Sequence, residues 1–256
     1  MKQDSRFLEL YTEHDRWRII DEPLSRDPQQ ALEHDTALLQ EIAKGKRGAT
    51  ARLWETPPCL VVTKKETRFP NYDEAVIEMS KRKWPPIVRS SGGTAVPLHP
   101  GILNLSIIVP QTTISTFDLD DMYLALCEPI NRALIKLGLK PEYGETPGSY
   151  CDGRYNLNIS GLKITGTAQK IMLSPPNVKH LKQGVLAQAM LMVEADAKQG
   201  TELVNLFYEK AGSERKFDPS VATSIQGIIK TEDSRGALTL KLRKMIIEEL
   251  KALIKE

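Results

Sequence analysis

The residues best suited to chemistry lie in the short polar segment 148–153 and in the stretch that follows it. This segment contains Cys151, and Lys163 lies twelve positions later. A thiol attacks as its thiolate, which a nearby positive charge favours. A cysteine between glycines in a polar turn is also expected to be exposed, whereas a structural cysteine more often sits in an apolar run. We therefore predict a nucleophile, Cys151, with an electrostatic partner, Lys163.

Each of these residues also has an ordinary interpretation. Cysteine is commonly neither catalytic nor a ligand, so by composition alone Cys151 is more often a bystander thiol. An exposed lysine in a hairpin, such as Lys163, is usually only a solubilising charge. For Cys59 and Cys127, which have apolar neighbours, core packing is the better interpretation.

A second candidate is the glycine loop between two predicted strands, at residues 89–95. Gly92 and Gly93 let backbone amides approach a ligand that a Cβ would exclude. The guanidinium of Arg89 suits a carboxylate or a phosphate. By pattern alone, a plain glycine turn is about as common as a ligand loop. His99 follows closely and could contact whatever the loop binds.

Composition bounds the class of protein. The chain has 256 residues, of which 41% are hydrophobic and 27% are charged, as in globular proteins. Its 35 lysines and arginines nearly balance 33 acids, so a net charge of +2 gives no broad basic field for nucleic acid. No apolar run approaches the ~20 residues of a membrane helix, and residues 1–10 lack the apolar core of a signal peptide. We expect a cytoplasmic enzyme or binding protein, with neither nucleic acid nor membrane as partner.

The cysteines and histidines predict neither disulfides nor a metal site. The three cysteines lie far apart and form no CxxC pair. The histidines at positions 14, 34, 99 and 180 lack metal-ligand spacing. Unpaired thiols indicate a reducing compartment.

Strands and helices alternate along the chain. Strands are predicted at residues 51–54, 60–63, 87–88, 102–109 and 184–193, and helices at residues 28–45, 73–81 and 119–138. Pro129 predicts a kink or a break in the last of these helices. The chain shows no repeat, low-complexity tract or linker. We therefore predict one mixed α/β (α+β) domain over residues 1–256, with a helical C-terminal portion at about 201–256.

Residues 155–165 predict a β-hairpin, because alternating strands flank the turn-forming pair Ser160 and Gly161. In this register Asn158 pairs with Lys163 on the polar face, so Lys163 points away from the core. At ~3.3 Å per residue, an extended chain would hold Cys151 far from Lys163. The segment 148–153 must therefore fold back over the hairpin if the two are to meet.

Taken together, these segments resemble the catalytic domains of the biotin and lipoate protein ligases, a superfamily that includes octanoyltransferases. Residues 89–96 resemble its Arg-x-Ser-Gly-Gly loop, and residues 161–169 its Gly-x-Lys-x-x-Gly-x-x-Gln segment. Residues 51–54, followed by two prolines, resemble the Arg-x-Trp and proline turn that lead into the acyl pocket. The resemblance implies one mixed-sheet domain with the fold of class II aminoacyl-tRNA synthetases and biotin synthetases.

Residues 148–155, with Gly101, Leu103 and Asn104, are similar to the branch that moves octanoyl or lipoyl groups between carrier proteins. This similarity implies that Cys151 takes the acyl group as a thioester, that Lys163 contacts this group, and that an acceptor lysine then attacks. The amides near Gly166 could help to stabilise the oxyanion. The substrate-binding residues that we predict are Arg52, Trp54, Arg89, Ser91, Gly92, Gly93, His99, Asn104 and Gly166.

The partners implied by this branch are acyl carriers and acceptor domains. The carriers are the glycine-cleavage H protein or acyl carrier protein, and the acceptors are lipoyl domains of 2-oxoacid dehydrogenase acyltransferase subunits. No cofactor or metal is expected. His99 stands where the transferases carry an acid, and residues 173–182 form a longer stretch than theirs. These departures leave open both the natural acyl group and its donor.

Two alternatives remain. An ATP-dependent lipoate ligase would need ATP and Mg²⁺, and would hold an acyl adenylate on the glycine loop and Lys163. Such ligases usually carry a third glycine where Thr94 stands, and many have an accessory domain for which little chain remains. A non-catalytic carrier-protein binder with the same fold would show no acyl turnover.

Overall fold

The computed structural model describes residues 6–230 and 234–255. Within these ranges the strands are β1 (Trp17–Leu24), β2 (Ala49–Glu55), β3 (Cys59–Thr63), β4 (Pro86–Arg89), β5 (Val96–Leu98), β6 (Ile102–Thr112), β7 (Glu142–Tyr143), β8 (Leu157–Ile159), β9 (Leu162–Lys163), β10 (Thr165–Leu173) and β11 (Leu181–Met192). The helices are α1 (Arg6–Thr12), α2 (Pro28–Ala43), α3 (Tyr72–Lys81), α4 (Leu119–Lys136), α5 (Ala197–Lys210), α6 (Ile225–Ile229) and α7 (Ala237–Leu253). Residues 1–5 of the N-terminal stretch, and residues 231–233 and 256 of the predicted C-terminal helical portion, lie outside the described residues.

The largest sheet is mixed and has the strand order β1-β2-β6-β11-β10. β1 and β2 are parallel, whereas the pairs β2–β6, β6–β11 and β11–β10 are antiparallel. Helices α1, α4 and α7 pack on one face, and α2 packs on the other. Burial on both faces explains why β6 is almost continuously apolar, since neither face can carry exposed polar side chains. This architecture confirms the mixed α/β class.

Two smaller sheets complete the fold. One has the order β4-β3-β5 and packs with α3 and α5, and the other has the order β7-β8-β9. In the latter, Asn158 pairs with Lys163 across β8 and β9, so the predicted hairpin register is confirmed. Ser160 and Gly161 both have positive φ, 52° and 77°, as a two-residue hairpin turn of type I′ requires. At Thr165 the chain leaves this hairpin and enters the five-stranded sheet as β10.

The prediction that Pro129 kinks or breaks its helix is wrong in one respect, because the helix does not break. α4 is one element from Leu119 to Lys136, and Pro129 is buried inside it. Asp118 caps its N-terminus through a reciprocal capping box with Asp121. The helix packs against α7, α1 and the large sheet, and this tertiary burial outweighs the hydrogen bond that proline removes.

Within the described ranges, the predicted helical C-terminal portion contains α6, α7 and most of α5. The stretch 173–182 is the connection between β10 and β11. Among the described residues, no helix is both long and apolar enough to cross a membrane.

Candidate active site

The face of the large sheet opposite α4 and α7 carries a row of residues that crosses several strands. In this row Trp54 pairs with Asn104, which pairs with Met190, which pairs with Gly166. Because side chains alternate along each strand, the apolar residues between these positions face α4 and α7 instead. Strand register thus brings together predicted site residues from three distant parts of the chain.

An apolar cavity, here called the acyl cavity, lies over this row. It has about 960 Å³ of space, including its open mouth. Its apolar walls include Leu32, Trp54, Val61, Val96, Leu98, Leu186 and Met190. Of the predicted substrate-binding residues, those that line it are Trp54, Arg89, Ser91, Asn104 and Gly166. Such a cavity suits a long apolar group with one polar end.

Cys151 lies at the edge of the acyl cavity and is only 8% exposed. The expectation of an exposed thiol is therefore wrong. Side chains from three other segments draw the loop inward: Thr94 Oγ1 accepts the Cys151 N–H at 2.7 Å, and the Cys151 carbonyl accepts from Asn156 Nδ2 at 3.0 Å and from Lys163 Nζ at 2.7 Å. The predicted folding back of this loop over the hairpin is confirmed.

Cys151 has a φ of 48°, in the left-handed region that non-glycine residues seldom adopt. Such a conformation costs about 1–3 kcal/mol and persists only where the surroundings enforce it. The side chains of Thr94, Asn156 and Lys163 satisfy both the N–H and the carbonyl of Cys151, so they enforce it here. Backbone strain of this kind clusters at functional sites.

Lys163 is fully buried, with 0% of its surface exposed. The polar face of the hairpin is not open to solvent, because residues 149–151 cover it. Lys163 Nζ donates to the Tyr150 carbonyl, to the Cys151 carbonyl at 2.7 Å and to Ser149 Oγ at 3.5 Å. Burial lowers the pKa of Lys163 to about 8, against the opposing effect of Cys151 and Asp152.

The three cysteines have very different electrostatic environments. Burial raises the pKa of the Cys151 thiol, but the positive charges of Arg89 and Lys163 outweigh it and leave this pKa below its ordinary value. The Arg89 guanidinium lies 3.8 Å from Cys151 Sγ. Burial instead raises the pKa of Cys59 to about 12, and also raises that of Cys127. Thiolate chemistry is thus favoured at Cys151 and disfavoured at the other two.

The glycine loop holds Arg89 against the thiol. Arg89 Nη2 donates to the Thr94 carbonyl at 3.0 Å, and Gly93 has a φ of 113°. A Cβ on Gly93 would lie 2.5 Å from Arg89 Nη2 and 2.9 Å from Cys151 Sγ. Only glycine fits there, because both the backbone conformation and the space exclude a side chain.

Sequence reasoning missed several residues that position this loop. Thr94 stood out only by replacing a glycine of the ligases, although its hydroxyl holds the Cys151 N–H. Glu66 is buried and accepts from Ala95 N at 2.9 Å, from Thr63 N at 2.6 Å and from the Tyr208 hydroxyl. A lone glutamate in a polar turn carries no sequence signal of this kind.

Arg52 does not line the acyl cavity but supports it from behind. Its Nη1 donates to Asp35 Oδ1 at 2.7 Å and its Nε to Glu22 Oε2 at 2.7 Å. Its guanidinium lies 4.7 Å from the centre of the Trp54 ring, which it holds in place. Trp54 Nε1 in turn donates to Ser106 Oγ at 3.1 Å.

The structure does not bring His99 to the thiol. Its Nδ1 donates to the Pro100 carbonyl at 2.7 Å, and its ring packs edge-on against Trp84. His99 lines neither the acyl cavity nor the space beside it. Within residues 6–230 and 234–255, no group of three or more His, Cys, Asp or Glu side chains could hold a metal ion.

The mixed sheet, with its glycine loop, buried lysine and apolar cavity, has the features expected of a catalytic domain of the lipoyl ligase type. Residues 27–251 match the family model described as the lipoyl protein ligase A/B catalytic domain, and the chain belongs to this family. The resemblance drawn from the sequence is thereby confirmed.

Several relatives at about 30% identity share one enzyme name. The octanoyl-[GcvH]:protein N-octanoyltransferase of Kyrpidia tusciae is 32% identical over 227 residues, which cover 84% of this chain and 74% of the relative. The enzyme of the same name from Geobacillus kaustophilus is 32% identical over 238 residues, covering 89% and 80%.

Solved structures show the same fold. A lipoate-protein ligase A bound with ATP superposes with a TM-score of 0.67 at 17% identity, covering 94% of this chain and 85% of its own. A T. acidophilum protein with bound lipoic acid gives a TM-score of 0.69 at 17% identity, covering 94% and 86%. At this identity the likeness concerns the fold alone, which confirms the expected architecture.

Proposed function

We propose that this chain is an acyltransferase of lipoate metabolism, which carries an octanoyl group as a thioester on Cys151 and passes it to a lysine of a protein domain. The observation that carries the proposal is a buried thiol beside two cations, with its pKa lowered, at the edge of an apolar cavity. The names of the relatives in K. tusciae and G. kaustophilus support octanoyl transfer.

In the first step the Cys151 thiolate attacks the carbonyl of the acylated carrier. A C–S bond forms, and negative charge develops on the carbonyl oxygen. The charges of Arg89 and Lys163 lie close to Cys151 and stabilise that oxyanion in a site from which water is largely excluded. The carrier's lysine then leaves as an amine and takes up a proton, and Lys163, with a pKa of about 8, is the adjacent group able to give one near neutral pH.

In the second step the ε-amine of an acceptor lysine attacks the thioester. The apolar cavity retains the acyl chain between the two steps, at about 0.8 kcal/mol for each buried methylene. Covalent catalysis thus divides one amide exchange into two easier reactions. Neither step needs ATP.

The names of the relatives support the proposed partners. Their names make the glycine-cleavage H protein the favoured donor, ahead of acyl carrier protein. One structural relative, with a TM-score of 0.51, is an archaeal lipoate protein ligase described together with its E2 lipoyl domain, which supports lipoyl domains as acceptors. Three unpaired cysteines suit a reducing compartment, so cytoplasmic location stays part of the proposal.

The proposal is tested by mixing the protein with octanoylated H protein in the absence of ATP and measuring its intact mass. We expect one octanoyl adduct, which peptide mapping places on Cys151, and octanoylation of an added lipoyl domain. Cys151→Ser should form no thioester adduct and should not transfer. Transfer by Cys151→Ser at the normal rate would show that the thioester mechanism is wrong.

The same assay separates the ligase alternative, which the relatives do not favour. With free octanoate, ATP and Mg²⁺, a ligase releases pyrophosphate and does not depend on Cys151. We expect no pyrophosphate from the wild-type protein. A non-catalytic carrier binder would give neither adduct nor pyrophosphate.

A further inference from the structure

Cys151 lies at the boundary between two cavities. One is the acyl cavity, and the other, here called the polar chamber, is lined by Gly92, Gly93, Asp120, Tyr123, Asp152 and Tyr155 among others. The glycine loop and β10 separate them: Ser91 and Gly166 line only the acyl cavity, whereas Gly92 and Gln169 line only the polar chamber. Cys151 is thus a lining residue of both cavities.

The two cavities differ in chemistry. Aliphatic side chains and Trp54 dominate the acyl cavity, whereas the largest apolar surfaces of the polar chamber are the rings of Tyr123 and Tyr155, stacked 4.9 Å apart. The chamber also has two carboxylates, Asp120 and Asp152, and one guanidinium, Arg154, which is paired with Asp120 at 2.6 Å. Arg154 thus offsets Asp120, and Asp152 is the carboxylate left to attract a cationic visitor, against the opposing charges of Arg89 and Lys163 beside Cys151.

We propose that the polar chamber admits the lysine side chain of the partner domain while the acyl chain occupies the acyl cavity. This inference rests on the proposed function. The carbonyl carbon of the thioester is bonded to the acyl chain and to the sulfur. Because the acyl chain fills the acyl cavity, the amine must approach this carbon from another side. Tyrosine rings suit the methylenes and the ammonium of a lysine, and carboxylates attract the ammonium before it loses its proton.

The bond changes balance without any further reactant. The neutral ε-amine adds to the thioester carbonyl, a C–N bond forms, and the C–S bond breaks. The Cys151 thiolate leaves with the bonding electrons, and the proton of the amine passes to the thiolate. In the acylation of Cys151, the acylated lysine of the donor occupies the same chamber and leaves through it as an amine.

Gly153 offers a way to narrow the chamber without straining the fold, and leucine or phenylalanine at this position gives two sizes of obstruction. Gly153 lines the chamber, its φ lies outside the left-handed region, and its Cβ would meet only Asn156 Oδ1, at 3.9 Å. Gly144 is the matched control, since it lines neither cavity and its Cβ would meet only Asn158 Nδ2, at 3.5 Å.

The experiment first loads Cys151 from p-nitrophenyl octanoate and isolates each acyl-enzyme. Each is then mixed either with a folded lipoyl domain or with hydroxylamine, a small nucleophile, and loss of the adduct is followed by intact mass. For Gly153→Leu and Gly153→Phe we expect discharge to the lipoyl domain to slow by about 100-fold, because the lysine cannot reach its attack position. Discharge by hydroxylamine should change less than twofold, and Gly144→Leu should match the wild-type protein in both reactions.

Normal discharge to the lipoyl domain by both folded chamber variants would overturn the inference. Equal slowing with hydroxylamine and with the lipoyl domain would also overturn it, because damage to the thioester site itself has that signature. A wild-type acyl-enzyme that never discharges to the lipoyl domain would instead refute the proposed function, and the inference with it.

Discussion

Arg52 and Lys163 are both cations with 0% of their surface exposed, yet the structure surrounds them in opposite ways. Arg52 is bonded to the carboxylates of Asp35 and Glu22. The acceptors around Lys163 are neutral oxygens, chiefly the carbonyls of the loop that carries Cys151. A cation neutralised by carboxylates has little field left for a substrate, whereas one held by carbonyls keeps both its field and a proton that it can release near neutral pH.

The site thus divides support from chemistry. The Arg52 network fixes Trp54 and the wall of the acyl cavity. Lys163 and Arg89 instead act on the thiol, whose pKa they lower.

The largest effect is expected on stability, for Arg52→Met. Methionine retains much of the volume but leaves the buried Asp35 carboxylate without its cation, so we expect a loss of about 3–5 kcal/mol in the free energy of unfolding. Urea denaturation measures it. In Arg52→Met, the rate at which iodoacetamide alkylates Cys151 should depend on pH as it does in the wild-type protein. A shift of this pH dependence as large as the one that Lys163→Met causes would contradict the division of support from chemistry.

Lys163→Met should have the converse effect. It removes the charge beside the thiol, so octanoyl transfer should fall by about 100- to 1000-fold, while the unfolding free energy should not fall as it does for Arg52→Met, because no carboxylate loses its partner. Transfer is followed by mass spectrometry and stability by urea denaturation. Lys182→Met, at an exposed lysine of β11, is the control. Transfer at the rate of that control would rule out a role for the Lys163 charge.

Thr94→Val should slow transfer by a smaller factor. Valine has the shape of threonine but cannot accept the Cys151 N–H, so the left-handed turn loses a buried hydrogen bond worth about 1–3 kcal/mol. We expect a decrease of about 10- to 100-fold. Thr94→Ser keeps the acceptor and should recover most of the rate, which a role in packing alone would not explain.

The smallest effect is expected in the pH profile of the wild-type enzyme. Because the pKa of Cys151 lies below its ordinary value, the rate should rise with pH at lower pH than for an ordinary thiol, and it should fall again above about pH 8 as Lys163 loses its positive charge. Lys163→Met should lose the falling limb and shift the rising limb to higher pH. A descending limb that persists in Lys163→Met belongs to another group.

Much of the site was accessible to sequence reasoning because it lies in short continuous motifs. The Ser160–Gly161 turn sets the hairpin register, and the glycine loop and the segment around Lys163 point to the family. Each of these depends on interactions between residues close in the chain, which sequence patterns report directly.

The remaining features depend on distant contacts. Burial of Cys151 and Lys163 comes from a loop that folds over the hairpin, so exposure inferred from polar neighbours was wrong for both. Thr94, Asn156 and Glu66 act through hydrogen bonds to other segments. His99 is near the glycine loop in sequence, yet it turns away to Pro100 and Trp84. Proximity in sequence carries no information about the direction of a side chain in a loop.

The sequence by itself determined the mixed α/β class and the hairpin register, because local propensity and periodicity specify these, and the resemblance to the family pointed to Cys151 and Lys163. Only the tertiary structure decided that Arg89 joins Lys163 in lowering the pKa of Cys151, and that Cys151 lines both an apolar cavity and a polar one. The reason is physical: a thiol pKa depends on burial and on charges within a few ångströms, and both are set by chain segments that meet only in the folded protein.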